Sequence, residues 1–88
     1  GTPDMTDIAG QIKVYPNPAQ NVLHIQTDKG GLSKLHLLDI TGRTITEKTV
    51  DSVSRYSLDL SNLQQGIYLL HLTNLNGETA VKRFVVSK

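Results

Sequence analysis

The chain is a succession of short stretches in which apolar and polar residues alternate, and this pattern restricts it to one class of fold. Val22–Thr27, for example, alternates Leu23 and Ile25 with polar residues, which is the period of a half-buried strand. No stretch carries apolar residues at the spacing of an amphipathic helix over two turns. Turn-forming residues separate the alternating stretches at about 8–12 residues, which predicts about seven strands. The sequence therefore predicts an all-β fold, an Ig-like antiparallel β-sandwich, with a small closed barrel as the alternative.

The densest run of apolar residues predicts the centre of the fold. Leu58 and Leu60 flank the polar Asp59, which is the alternation of a half-buried strand. Leu63 is expected to pack its side chain into the corner that follows. Gly66 then supplies a backbone conformation that other residues resist, or lets another backbone come close. Beyond it, apolar residues fall on both faces of residues 66–73, which predicts a central strand covered on both sides or nearly so.

The other alternating stretches predict the remaining strands, with Gly, Asn and Asp marking the turns. Asp39–Gly42 fits a type I turn closed by a left-handed glycine, and Asn76-Gly77 is a strong hairpin signal. Residues 28–31 predict a further glycine turn, and residues 51–54 a polar connection. The strands are expected at residues 12–15, 22–27, 33–40, 43–50, 55–60, 66–73 and 78–87. The expected core consists of Leu23, Ile25, Leu35, Leu37, Leu58, Leu60, Leu63, Tyr68, Leu70 and Leu72.

Length and composition restrict the function classes. The 88 residues predict one domain over residues 12–88, preceded by a flexible linker at residues 1–11. The chain has no cysteine, which excludes a thiol nucleophile, a cysteine-ligated zinc site and an iron–sulfur cluster. Its net charge of +1, without a basic cluster, gives no basis for nucleic-acid binding.

No constellation for catalysis or metal binding stands out. His24, His36 and His71 each lie between apolar neighbours, so they face away from those neighbours and are expected at the surface. The carboxylates fall at expected turns, and no serine lies in a nucleophile elbow. We therefore expect no enzymatic activity, no metal and no cofactor.

Two features remain: the rigid turn at residues 16–18 and the basic residues near the end of the sequence, which form either structural elements or a surface for a partner. Both belong to a longer ordered motif that covers residues 12–88. The motif is Val14-Tyr15-Pro16-Asn17-Pro18-Ala19, Leu23-x-Ile25, Leu35-x-Leu37-x-Asp39-x-Thr41-Gly42-Arg43, Leu58-Asp59-Leu60-Ser61-x-Leu63-x-x-Gly66-Ile67-Tyr68, Gly77 and Lys82-Arg83-Phe84-Val85-Val86-x-Lys88. This ordered set resembles the C-terminal sorting domain of the type IX (Por) secretion system of Bacteroidetes, in its type A form.

This resemblance implies a role in protein export. Members of the family are the last domain of exported cargo proteins and fold as Ig-like sandwiches in the periplasm. The outer-membrane translocon and its β-barrel shuttle protein recognise them. A sortase-like cysteine protease then usually removes the domain, here within or upstream of residues 1–11, and the cargo stays at the cell surface or is released. The signal residues that the resemblance implies are Pro16, Asn17, Pro18, Gly42, Gly66, Tyr68, Lys82, Arg83, Val86 and Lys88.

The residues alone leave other functions and other modes of interaction open. An Ig-like adhesive or carbohydrate-binding module, or a structural spacer, would have a similar strand pattern, although the lack of tryptophan disfavours sugar stacking. The end of the last strand is a plausible handle for a partner, with main-chain hydrogen bonds supplying affinity. An open edge strand could also pair two copies into a homodimer, which the charges on residues 43–50 should weaken on one side.

Overall fold

The computed structural model describes residues 9–28 and 31–88. Within them the chain forms seven strands and one short 3-10 turn, η1 (Ala9–Gln11), which confirms the predicted all-β class. No helix capable of crossing a membrane occurs in the described part of the chain. The predicted linker over residues 1–11 and the predicted glycine turn at residues 28–31 lie partly outside the described residues. The strands are β1 (Ile12–Tyr15), β2 (Val22–Thr27), β3 (Leu32–Asp39), β4 (Thr44–Val53), β5 (Arg55–Asp59), β6 (Gly66–Asn74) and β7 (Thr79–Val86).

The strands pair into two antiparallel sheets, and the chain crosses from one sheet to the other three times. In the described residues the orders are β1-β2-β5 and β4-β3-β6-β7. The crossings follow β2, β4 and β5. Neither sheet closes on itself or on the other within these residues, so the fold is a sandwich and the closed barrel is excluded.

The core lies between the sheets and consists of the inward residues of each strand. Every expected core residue is buried except Leu63, which is half-buried against the core. Period-2 alternation predicted them correctly because successive side chains of a strand point to opposite faces. Further buried apolar residues that were not on that expected list are Ile12, Ala19, Leu32, Ala80, Phe84 and Val86.

The central strand β6 is covered on one face, so the expectation of burial on both faces is wrong. Ile67 is 36 % exposed, Leu69 is half-buried, and His71 is exposed. Cross-strand pairs explain the apolar residues on this outer face, because Ile67 lies beside Val85 and Leu69 beside Leu38. Such pairs stabilise the sheet without a second layer.

Strand β4 continues to Val53, so the predicted polar connection at residues 51–54 is also wrong. Its end pairs Val53 with Leu32, and Ser52 adopts a left-handed conformation with φ of 53°. A Cβ at Gly31 would lie 2.5 Å from the Ser52 Oγ and 2.8 Å from the Ser52 Cα. Glycine at position 31 is therefore what allows β4 to approach the start of β3. The polar composition concealed this part of the strand because β4 is an edge strand facing solvent.

The Asn76-Gly77 hairpin is confirmed and joins β6 to β7. The Gly77 N–H donates to the Asn74 carbonyl at 3.1 Å, and the Asn74 N–H donates to the Glu78 carbonyl at 2.9 Å. Gly77 has φ of 84°, a left-handed conformation that glycine adopts without strain. The Asn74 Oδ1 accepts the N–H groups of Asn76 and Glu78, each at 2.9 Å, which fixes the loop.

Candidate recognition pole

One end of the sandwich collects most of the residues that the family resemblance identified. β1 ends there and β6 begins there, and the ladders pair Asp39 with Tyr68 and Gly66 with Val86. These pairings place the end of β3, the start of β6 and the end of β7 side by side. We name this end the motif pole and define it as residues 15–22, 39–43, 59–68 and 85–88.

The Pro16-Asn17-Pro18 segment runs along the outer edge of β7. The Asn17 Oδ1 accepts the Val85 N–H at 3.0 Å. The Ala19 N–H donates to the Val85 carbonyl at 2.7 Å, and the Ser87 N–H donates to the Ala19 carbonyl at 2.8 Å. These main-chain groups at the end of β7 are therefore already paired, and they are not free to form the main-chain handle expected there. Both Pro16 and Pro18 are exposed, and the peptide bond before each is cis.

Gly66, Tyr68 and Val86 build the motif pole from inside. Tyr68 is 8 % exposed, and its hydroxyl donates to the Gln64 carbonyl at 2.6 Å. Its ring stacks on that of Phe84, with centroids 5.9 Å apart. Val86 is 1 % exposed and pairs with Gly66, whose φ is 157°. Tyr68 and Val86 are too deeply buried to offer a partner more than a small contact.

The hairpin that contains Gly42 forms the adjoining part of the motif pole, and it has the predicted turn. The Gly42 N–H donates to the Asp39 carbonyl at 2.9 Å, the Asp39 N–H donates to the Arg43 carbonyl at 3.0 Å, and Gly42 has φ of 92°. The Asp39 Oδ1 accepts the N–H groups of Thr41 and Arg43 at 2.9 and 3.0 Å, and the Arg43 Nε lies 3.2 Å from Oδ2. The Thr41 hydroxyl also donates to the Asp39 Oδ1, and this bond, followed by that of the Arg43 N–H, lowers the pKa of Asp39.

Lys88 connects the end of the last strand to the corner between β5 and β6. Its Nζ donates to the carbonyls of Leu60 and Ser61 at 2.9 and 3.2 Å. Asp59 lies beside this contact, and its carboxylate accepts the Ser61 N–H at 2.9 Å. The pKa of Asp59 is lowered mainly by its hydrogen bonds with Ser61 and further by the positive charge of Lys88.

Lys82 and Arg83 lie outside the motif pole and on opposite faces of the sheet. Lys82 pairs with the buried Leu70, is half-buried and faces the core side of the edge strand β7. Arg83 pairs with Leu69 and is exposed on the outer face. With Lys88 beyond the strand, the three basic residues do not form a single patch.

The list of signal residues omitted two contributors to the motif pole, although the motif itself includes Ala19. Ala19 is 0 % exposed and forms a parallel bridge with Val86. The main chain of Asn21 also contributes, since its carbonyl accepts the Leu60 N–H at 2.8 Å. The signal for Ala19 in the sequence was a small apolar residue directly after Pro18 in an otherwise polar loop. Among the described residues no group of three or more His, Asp or Glu side chains could hold a metal ion.

Comparisons with known proteins agree with the sequence resemblance. The family model for the secretion system C-terminal sorting domain matches residues 13–87. Beta-agarase D of Zobellia galactanivorans is 31 % identical to this chain over 78 residues, which are 89 % of the chain and 15 % of the agarase. The chain thus spans a small part of the length of this relative. Because the family match includes the motif pole and nearly the whole sandwich, the chain belongs to the secretion system C-terminal sorting domains, the family of sorting signals in protein secretion.

Proposed function

We propose that the motif pole is the surface that the outer-membrane translocon and its β-barrel shuttle protein recognise when they export the cargo. The supporting observation is that residues separated by up to 72 positions, from Pro16 to Lys88, lie at one end of the sandwich. The chain enters β1 at the opposite end, where Ile12 pairs with Thr27. The nine residues of β6 span about 26 Å between the two ends. A cargo joined before β1 is thus held away from the recognised surface.

Two kinds of residue have separate tasks in this proposal. Buried residues such as Tyr68 and Val86 fix the shape of the motif pole, and exposed residues supply the contacts. The exposed Pro16 and Pro18, with Gln20, Asn21 and Val22, line a shallow depression of about 360 Å³. Rigid proline rings lose little conformational entropy on binding, which suits a contact surface.

The proposal extends to the fate of the cargo. The domain passes through the periplasm, and after export a sortase-like cysteine protease cleaves within or upstream of residues 1–11. The cargo is then anchored at the cell surface or released. The position of Gln11 supports recognition before cleavage, because Gln11 lies at the end opposite the motif pole. There its carbonyl accepts the Asp28 N–H at 2.9 Å. A protease could therefore reach the preceding segment while the motif pole is occupied.

The test fuses residues 1–88 to a periplasmic reporter in a host that has this secretion system. Gln20→Trp places a large side chain on the exposed motif pole, and Leu75→Trp places the same side chain at the opposite end, where Leu75 is 59 % exposed. We expect both variants to melt like the parent and only Gln20→Trp to reduce the reporter at the surface.

Two outcomes contradict the proposal in different ways. Equal surface display of Gln20→Trp and the parent excludes the motif pole as the contact surface. Retention of the parent fusion in the periplasm removes the export role itself, and the adhesive or spacer module takes its place.

A further inference from the structure

Strand β4 has the longest open edge in the described part of the molecule. It has ten residues, whereas β5 has five and β1 four, and no described residue pairs with its outer side. The end of β7 is occupied by Ala19. Variable-type Ig domains carry a further strand in the position next to the strand that corresponds to β4. The sheet therefore has an unfilled position with main-chain groups available along most of its length.

A groove lined by both apolar and polar residues lies beneath this open position. It has a volume of about 480 Å³ and runs between the edges of β4 and β5, with Leu37 as its floor and Ile45, Tyr56 and Leu63 along its walls. Ile45 is 37 % exposed. Because neighbouring strands lie about 4.8 Å apart, a strand added to β4 would lie over the groove and point every second side chain into it. A depression of about 420 Å³ in the motif pole adjoins the groove and shares Ile45, Asn62 and Leu63 with it.

The charges around the groove indicate the chemistry of an occupant. Lys48 lines the groove and is exposed, and its ammonium group forms no hydrogen bond or ion pair within the described residues. Glu47 points to the outer face, where it lies 3.5 Å from Lys34. Asp59 also lines the groove and keeps its charge, but no ion pair joins it to Lys48. Lys48 is thus a cation of the groove without an ion-pair partner among the described residues.

We propose that β4 and this groove bind an extended segment of another protein as a fifth strand of the sheet. Main-chain hydrogen bonds to β4 supply affinity, and apolar side chains at alternate positions fill the space beside Ile45 and Leu63. An acidic side chain of the partner faces Lys48 and sets the register. This site goes beyond the proposed function, since it lies mainly on β4 and β5 and shares only Asp59, Asn62 and Leu63 with the motif pole.

A second copy of the chain is a poor occupant of this edge. When two copies of a strand pair antiparallel about a two-fold axis, residues opposite one another must point to the same face of the sheet. One residue therefore lies directly opposite its own copy, and the axis passes midway between the two. An axis at Lys48 places Lys48 against its own copy, and an axis at Glu47 does the same with Glu47. An axis at Thr49 places Glu47 opposite Asp51. Like charges directly opposite one another destabilise a pair of strands, so both registers that pair nine residues of β4, those with the axis at Lys48 or Thr49, oppose self-pairing.

The test titrates the isotope-labelled chain with two synthetic peptides of eight residues that alternate valine and threonine. One carries an aspartate at a groove-facing position, and the other a lysine at the same position. We expect saturable NMR shift changes centred on the amides of β4. The aspartate peptide should bind about two- to fivefold more tightly, the size of an exposed ion pair.

Variants make the expectation specific. Lys48→Glu should invert the preference between the two peptides, and Ile45→Thr should weaken both peptides alike, because it removes apolar contact area. Lys82→Glu, a matched charge reversal on β7, should leave both affinities unchanged. The proposal is overturned by the absence of saturable binding, by shift changes centred on β1, β5 or β7, by an unchanged preference in Lys48→Glu, or by β4-mediated dimers without peptide.

Discussion

The side chain of Asn17 holds the loop between β1 and β2 against the edge of β7, and its removal tests how the motif pole is built. In Asn17→Ala the Val85 N–H loses its acceptor, the Oδ1 at 3.0 Å. The main-chain bonds between Ala19 and Val85 and between Ser87 and Ala19 are unaffected by the substitution itself. The variant therefore removes one of three hydrogen bonds that join the two segments.

The expected loss follows from the surroundings of this bond. An intramolecular hydrogen bond contributes about 0.5–1.5 kcal/mol net to the free energy of unfolding. Asn17 is exposed and Val85 half-buried, so water can partly replace the lost acceptor, and the lower half of that range, about 0.5–1 kcal/mol, applies. In a domain of this size such a loss lowers Tm by about 2–8 °C.

Thermal unfolding and amide hydrogen exchange together separate a local effect from a general one. The Val85 amide should exchange faster in Asn17→Ala, beyond the acceleration shown by the amide of Leu70 in the centre of the sheet. Asn17→Asp keeps an acceptor oxygen and should preserve slow exchange at Val85. The reasoning is refuted if Asn17→Ala melts with the parent while Val85 stays protected, or if Asn17→Asp loses as much protection as Asn17→Ala.

Three further predictions concern buried residues and pH. In urea unfolding, Tyr68→Phe should lower the free energy of unfolding by about 1 kcal/mol, because the hydrogen bond to Gln64 is lost. Tyr68→Ala should lower it by about 3–5 kcal/mol, because it leaves a cavity. Equal losses in the two variants would contradict this. Gly66→Val should lower it by more than about 1 kcal/mol because of the backbone conformation, since an added Cβ would meet only the Tyr68 Cε1 at 3.9 Å; a parent-like midpoint would contradict that. Folding holds the pKa of Asp39 and Asp59 below the ordinary 3.8, so their contribution to stability should be complete above that pH and decline as pH falls further. Urea midpoints between pH 2 and 6 measure this, and Asp39→Asn should flatten the decline.

The sequence predicted the strands and most of the core because buried and exposed side chains alternate along a strand of a sandwich, as the apolar and polar residues of this sequence do. Leu23 and Ile25 are 0 and 1 % exposed, as their alternation with polar residues indicates. The pattern of β6 was ambiguous, because apolar residues on both faces arise either from two-sided burial or from cross-strand pairs such as that of Ile67 with Val85. Only the position of the second sheet distinguishes these cases, and it depends on the whole topology.

The contacts of the motif pole could not be predicted because they join distant parts of the chain. The bond between Asn17 and Val85 spans 68 residues, and a local pattern does not contain it. The separation of Lys82 from Arg83, by contrast, was predictable, since adjacent residues of a strand point to opposite faces. Grouping them by charge concealed this. The inward Lys82 on β7 is also one of the means by which edge strands resist pairing with other chains.

These contacts explain why a sorting signal of this family extends over a whole domain instead of a short peptide. The end of β7 has its present surroundings only when Ala19 is bridged to Val86 and when Lys88 reaches the carbonyls of Leu60 and Ser61. Each of these contacts requires the two sheets to be assembled. An unfolded chain carries the same residues but not the motif pole, so under the proposed function recognition depends on folding. The buried motif residues then act through the shape of the motif pole, and the exposed residues around Pro16 and Pro18 act by contact.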